Sequence, residues 1–156
     1  MQRDLGRSET QDSGGGRAFV SVVLDASLTL SWCFEDEATP ATDELLDIVA
    51  QSGAAVPPLW RIEVANGLQA AIRRKRIDAA YRDASIADLR QLPIAIDGES
   101  DERVWTTTLW LSDQSGLTIY DACYLELAQR RNLPLATLDQ ELRAAAQTLG
   151  LVLLGM

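Results

Sequence analysis

The order of apolar segments along the chain predicts a three-layer α/β/α fold around a mainly parallel sheet. The first apolar segment, F-V-S-V-V-L at residues 19–24, is rich in β-branched residues and apolar on both faces, as expected of a central parallel strand. Similar short segments alternate with longer segments of helical periodicity. Strands that alternate with helices indicate a sheet with helices packed on its faces.

The individual elements follow from cap and turn residues, taken in chain order. Thr39 followed by Pro40 is a typical helix start, and Asp78 and Thr118 are typical caps of two later helices. Gly116 and Gly150 are typical helix ends. Strands are predicted at residues 19–24, 54–56, 93–96, 135–138 and 151–154. Helices are predicted at residues 27–35, 40–51, 59–74, 79–92, 101–115, 119–131 and 140–149.

The composition indicates one domain preceded by a polar tail. Residues 1–18 are polar and charged, so we expect them to be disordered or a leader segment, and we expect residues 19–156 to form the domain. No apolar stretch is long enough for a signal peptide or a membrane span, so we expect a cytoplasmic protein. Cys33 and Cys123 lie in apolar helical patterns, and we expect both to be reduced.

The chain contains no histidine, which excludes several classes of site. Without imidazole there is no Ser-His or Cys-His nucleophile pair and no histidine-bearing zinc or iron site. Four acids lie among apolar or small residues: Asp25, Glu63, Asp121 and Asp139. Grouped carboxylates repel one another, so they stay ionised together only when a hard cation such as Mg²⁺ or Mn²⁺ neutralises them. The sequence therefore favours carboxylate chemistry on a divalent cation.

Each acid also has a purely structural interpretation. Asp25 and Asp139 follow predicted strands, and each could simply cap the next helix. Asp121 is the third helical residue of a capping-box pattern, yet it falls on the predicted buried side of its helix, opposite Glu126. Glu63 lies a full turn inside its helix, where it could also extend its head into solvent. Because the carboxyl ends of parallel strands meet at one sheet edge, we expect the topology to bring these acids together.

The four acids lie in four sequence motifs: V-V-L-D-A-S around Asp25, R-I-E-V-A-N around Glu63, T-I-Y-D-A-C-Y-L-E-L-A around Asp121 and L-P-L-A-T-L-D around Asp139. In order and approximate spacing, these motifs resemble those of the PIN domain family, and within it the VapC-type ribonuclease toxins of bacterial toxin–antitoxin pairs. The resemblance covers residues 20–154. It implies a Mg²⁺- or Mn²⁺-dependent endoribonuclease in which these four acids are the catalytic and metal-binding residues. It also implies that Ser27 and Thr137 orient water or a carboxylate beside them.

The resemblance further implies an RNA substrate, a homodimer and a cognate antitoxin. We expect the antitoxin to lie in a groove around the helices at residues 41–52 and 59–90. The net charge of −9 disfavours broad binding to nucleic acid, so an RNA contact must be local. The basic residues Arg73, Arg74, Lys75 and Arg76 could grip phosphates, or could complement the dipole at the end of their helix.

Two other functions would use the same acids. A non-catalytic PIN-like module could keep them for metal-stabilised structure or for protein contact. A receiver-like domain or phosphatase would use Asp25 as a phosphoryl acceptor, but the segment lacks a D-x-D continuation, and no lysine is evident at a strand end.

Overall fold

Five parallel strands form one sheet within residues 21–156, the part of the chain that this computed structural model describes. The strands are β1 (Val23–Leu24), β2 (Ala54–Val56), β3 (Ile94–Ile96), β4 (Leu135–Ala136) and β5 (Leu153–Leu154). They pair in the order β3-β2-β1-β4-β5. The predicted tail at residues 1–18 and the start of the first predicted strand lie outside the described residues.

Helices cover both faces of this sheet. They are α1 (Ala26–Cys33), α2 (Pro40–Ser52), α3 (Leu59–Arg73), α4 (Ala79–Arg90), α5 (Ser100–Arg103), α6 (Leu109–Ser115), α7 (Ile119–Arg131) and α8 (Gln140–Thr148). Because crossovers between parallel strands are right-handed, α1 to α4 lie on one face and α5 to α8 on the other. In agreement, α1 packs on α2 and α3, whereas α7 packs on β1, β4 and α8. The predicted three-layer α/β/α fold is confirmed.

The predicted caps form most of the helix boundaries. The side chains of Thr39, Asp78 and Thr118 each accept a hydrogen bond from the backbone amide three residues further on. Gly116 and Gly150 adopt left-handed backbone angles, with φ of 71° and 73°. Glycine reaches this region without steric cost, so these residues end helices where the sequence predicts.

Several predicted elements differ from the structure: the helix predicted at residues 27–35 ends at Cys33, and the strand predicted at residues 151–154 spans only Leu153–Leu154. The helix predicted at residues 101–115 is interrupted by a π-helical segment, Val104–Thr108, between α5 and α6. The strand predicted at residues 135–138 ends at Ala136. It ends there because the amide of Leu138 donates to Ser27 Oγ, at 3.1 Å, rather than to a neighbouring strand.

The strand order creates a crevice between the carboxyl ends of β1 and β4. From β1 the chain proceeds outward to β2 and β3, then returns to the other side of β1 to form β4 and β5. Ligands in open α/β sheets bind where the strand order reverses in this way. Asp25 directly follows β1, and its amide donates to the carbonyl of Ala136, the last residue of β4. The first acid therefore lies at the reversal point.

Two expectations from composition concern membranes and cysteines. Among residues 21–156, no helix is both long and apolar enough to cross a membrane. Cys33 and Cys123 are buried and unpaired, as expected for reduced thiols. Burial raises the pKa of each thiol to about 11, so both stay protonated and weakly nucleophilic at neutral pH.

Candidate active site

Asp25 is buried beneath two hydroxyl groups instead of capping a helix. Its side chain is 4% exposed and makes no cap hydrogen bond to α1. Its Oδ2 atom accepts hydrogen bonds from Ser27 Oγ and Thr137 Oγ1, each at 2.7 Å. Burial raises the pKa of Asp25, the two hydroxyl donors lower it, and the charge of Asp139 raises it further. The structural interpretation of Asp25 as a simple cap is therefore wrong.

Ser27 and Thr137 connect Asp25 to the loop after β4. Thr137 Oγ1 accepts from the amide of Asp139 at 3.0 Å while it donates to Asp25. Ser27 Oγ lies 3.4 Å from Thr137 Oγ1. The structure thus brings both predicted hydroxyl residues against the first acid, on a loop that also carries the fourth.

Asp139 caps α8 and still contributes charge to the site. Its Oδ1 atom accepts from the amide of Leu142 at 2.8 Å, as the structural interpretation predicts. Its charge raises the pKa values of Asp25 and Asp121. A cap hydrogen bond and an electrostatic contribution therefore coexist in this residue.

Asp121 and Glu63 are half-buried and lie in helices of opposite layers. Burial raises the pKa of Asp121 to about 6, with further contributions from the charges of Asp139, Asp25 and Glu141. Burial also raises the pKa of Glu63, as do the charges of Asp25 and Asp121, whereas a hydrogen bond from Tyr124 lowers it. The negative charges of neighbouring acids therefore contribute to the raised pKa of both carboxylates.

No cation of the described chain compensates this charge. Among residues 21–156, neither arginine nor lysine forms an ion pair with any of the four acids. The four acids nevertheless do not form a compact cage, since no group of three or more acidic or cysteine side chains in the described part lies close enough to hold one metal ion. The acids therefore influence one another electrostatically, but within residues 21–156 they do not form a single coordination shell.

The donor set fits a hard divalent cation by its chemistry. Carboxylate and hydroxyl oxygens are the ligands that Mg²⁺ and Mn²⁺ prefer. Asp25, Glu63 and Asp121 all carry raised pKa values, mainly because they are buried and secondarily because neighbouring acids repel their negative charge, and a bound cation would offset both effects.

The basic residues at the end of α3 are distant from these acids. Arg73 ends α3 ten residues after Glu63, which corresponds to a rise of about 15 Å. Arg76 is already engaged: its guanidinium lies 3.1 Å from Asp36 Oδ1 and 4.4 Å from the centre of the Phe34 ring. Arg76 is therefore held by protein groups, while Arg73, Arg74 and Lys75 are exposed and make no ion pair within residues 21–156.

The prediction that Glu126 lies on a polar helix side is wrong. Glu126 is 2% exposed, because α7 is buried on nearly all sides from residue 122 to residue 128. Its carboxylate pairs with Arg130 at 2.7 Å, and Arg130 also pairs with Asp97 at 2.6 Å. Burial opposes ionisation of Asp97, yet hydrogen bonds from Arg130 and Ser100 hold its pKa below its usual value. This network fixes the loop after β3 to α7.

Tyr124 is a contact of the site that sequence reasoning missed. Its hydroxyl donates to Glu63 Oε1 at 2.7 Å. The available signal was its position among the apolar residues of the helix, because a buried tyrosine hydroxyl needs an acceptor. Its position three residues after Asp121 also placed it on the same helix face as that acid.

Comparisons with known proteins agree with this architecture. The PIN domain family model matches residues 22–147. VapC ribonuclease Mb0985 of Mycobacterium bovis and Ribonuclease VapC9 of Mycobacterium tuberculosis are each 29% identical to the chain over 129 residues, 81% of this chain and 91% of the relative. The crystal structure of PAE2754 from Pyrobaculum aerophilum matches with a TM-score of 0.64 and 26% identity, over 86% of this chain and 90% of that one. Because the family model covers most of its length, this chain belongs to the PIN domain family.

Proposed function

We propose that this protein is a divalent-metal-dependent endoribonuclease and the toxin of a toxin–antitoxin pair. The names of its relatives support this function, since both Mb0985 and VapC9 are described as VapC ribonucleases. The observation that carries the proposal is the uncompensated acidic crevice at the β1/β4 reversal point. Carboxylates repel an anionic phosphodiester, so hydrolysis at this site requires a cation between the carboxylates and the substrate.

The four acids take different roles in this proposal. Asp25 and Asp121 are direct ligands of Mg²⁺ or Mn²⁺, and Glu63 is a ligand or a base that orients water. Asp139 acts on a second ion or through a bound water. Ser27 and Thr137 hold Asp25 in place by donating to Oδ2, so that its charge is directed into the crevice. When bound, a divalent cation would acidify water and neutralise charge on the phosphodiester.

The alternative is a PIN-like module without catalysis, which is compatible with the absence of a compact group of three carboxylates among residues 21–156. Such a module would keep the fold and the protein contacts but would not bring three carboxylates onto one ion. Cleavage of RNA separates the two functions. We expect the antitoxin-free protein to cut structured RNA in Mn²⁺ and to stop when EDTA is added.

The test variant is Asp25→Asn, and the control is Asp47→Asn, which replaces an exposed acid in α2. Loss of a metal ligand removes several kcal/mol of transition-state stabilisation, so Asp25→Asn should lower the rate by about 100-fold or more. Asp47→Asn should cut at the wild-type rate. Equal cutting by wild type and Asp25→Asn would reveal a contaminating nuclease, and absence of cutting by well-folded wild type would favour the non-catalytic module.

We also propose that the exposed cations at the end of α3 hold the RNA backbone away from the cleavage point. Arg73, Arg74 and Lys75 suit this role better than Arg76, which is paired with Asp36. Their distance from Glu63 matches a contact several nucleotides from the scissile phosphate. The contact would be electrostatic and therefore dependent on salt.

The antitoxin and the homodimer belong to the same proposal, as does action in the cytoplasm. An apolar groove of about 620 Å³ lies between α3 and α4, lined by Trp60, Val64, Ile86 and Leu89 with Arg61 and Arg90 also present. It suits an antitoxin segment with apolar and acidic side chains.

Trp105 is 89% exposed, and Leu109 and Trp110 are exposed nearby, which suits contact with a second copy. Trp105→Ser should shift the mass measured by light scattering towards the monomer.

A further inference from the structure

The side chain of Tyr124 joins the two helical layers at the acidic crevice. Tyr124 lies in α7, is fully buried, and donates its hydroxyl proton to Glu63 Oε1 at 2.7 Å. Glu63 lies in α3, in the opposite layer of the fold. Tyr124 also leaves α7 on the same face as Asp121, which precedes it by three positions. The phenol of Tyr124 therefore contacts one candidate metal ligand, Glu63, and lies on the same helix face as another, Asp121.

The hydrogen bond restrains Glu63 without cancelling its charge. A glutamate side chain has three rotatable bonds, and the bond to Oε1 fixes its far end while Oε2 stays available to another partner. The phenol is a neutral donor, so the carboxylate keeps its negative charge. Glu126 shows the opposite arrangement, because its carboxylate is paired with the cation of Arg130 at 2.7 Å. Of these two glutamates, only Glu63 is held in a form that can still bind a cation.

We propose that Tyr124 is a positioning residue that holds Glu63 in the orientation required to bind the divalent cation. This inference rests on the function proposed above. A purely structural role is the competing explanation, since any buried tyrosine requires an acceptor for its hydroxyl. A structural role predicts a loss of stability alone. A positioning role also predicts a loss of metal affinity, and that loss must act through Glu63.

The experiment compares Tyr124→Phe with a matched control, Tyr81→Phe. Tyr81 donates its hydroxyl to the backbone carbonyl of Cys33, so the control also deletes one hydrogen-bonded hydroxyl. Mn²⁺ affinity is measured by calorimetry, RNA cleavage by single-turnover kinetics, and stability by urea unfolding. The same measurements are made on Glu63→Gln and on the double variant with Tyr124→Phe.

We expect Tyr124→Phe to weaken Mn²⁺ binding by about 10- to 100-fold and to slow cleavage, as for other residues that orient metal ligands. Tyr81→Phe should bind Mn²⁺ like the wild type. In the Glu63→Gln background, Tyr124→Phe should change Mn²⁺ affinity by less than about twofold, since its effect acts through Glu63.

Two results would overturn the positioning role alone: wild-type Mn²⁺ affinity in Tyr124→Phe, or a full additional loss in the Glu63→Gln background. If the wild type itself neither binds Mn²⁺ nor cuts RNA, the proposed function fails and this inference fails with it. The two failures are therefore distinguished by the wild-type measurement.

Discussion

Removing the charge of Asp121 should stabilise the metal-free protein at neutral pH but not at pH 4. Burial and the neighbouring charges of Asp139, Asp25 and Glu141 raise the pKa of Asp121 from 3.8 to about 6. The folded protein therefore holds this proton more tightly than the unfolded chain does. As pH rises from about 4 to about 6, the unfolded state loses its proton first, so the wild type loses stability across this window.

The size of this effect follows from the shift of the pKa. The difference between an unfolded pKa of 3.8 and a folded pKa of about 6 corresponds to a loss of at most about 3 kcal/mol in the free energy of unfolding. Because the carboxyl group is only half-buried, solvent screening reduces the loss to about 1–2 kcal/mol. The favourable interaction of a first-turn aspartate with the helix dipole, about 0.5 kcal/mol, opposes this loss without reversing it. Asp121→Asn should therefore melt roughly 2–8 °C higher than wild type at pH 7.5 in EDTA.

The assay is thermal unfolding in EDTA at pH 4.0, 5.0 and 7.5, with Asp47→Asn as the control. The stabilisation by Asp121→Asn should be present at pH 7.5, smaller at pH 5.0 and close to zero at pH 4.0. The control should follow the wild type at every pH. A variant that is less stable than wild type at pH 7.5, or equally shifted at pH 4.0 and 7.5, would refute the electrostatic grouping of the acids.

Three further predictions concern other parts of the structure. Arg130→Met leaves the buried carboxylates of Glu126 and Asp97 without their cation, so urea unfolding should show a loss of about 3–5 kcal/mol, against under about 1 kcal/mol for the surface variant Arg82→Met. Thr137→Val removes the donor to Asp25 while conserving shape; we expect about 1–3 kcal/mol of lost stability and a 10- to 100-fold weaker affinity for Mn²⁺, which calorimetry would measure. Replacing Arg73, Arg74 and Lys75 together by glutamine should weaken the salt dependence of RNA binding. The slope of the logarithm of the binding constant against the logarithm of the salt concentration should become shallower by about 2, and an unchanged slope would exclude the contact.

Local signals in the sequence were sufficient for the fold and for most helix boundaries. Thr39, Asp78 and Thr118 cap their helices because a short polar side chain satisfies a free amide within three residues. The position of Asp25 after a buried strand was equally local. These features depend on neighbours in the chain, so one sequence suffices to predict them.

The features that the sequence did not predict depend on long-range contacts. The strand order that places Asp25 and Thr137 side by side becomes visible only when β1 and β4 pair across more than a hundred residues. Glu126 was assigned to a polar face because periodicity describes a helix with one solvent side, whereas α7 is enclosed by the sheet and by other helices. The pairing of Arg76 with Asp36 was not predicted, because nothing local in the sequence indicated it.

The most direct test is the anomalous diffraction map of a crystal grown with Mn²⁺. We predict a peak bonded to carboxylate oxygens of Asp25 and of at least one of Glu63 and Asp121, at roughly 2.0–2.3 Å. No peak in this crevice, in a crystal soaked at millimolar Mn²⁺, would contradict a metal-dependent site.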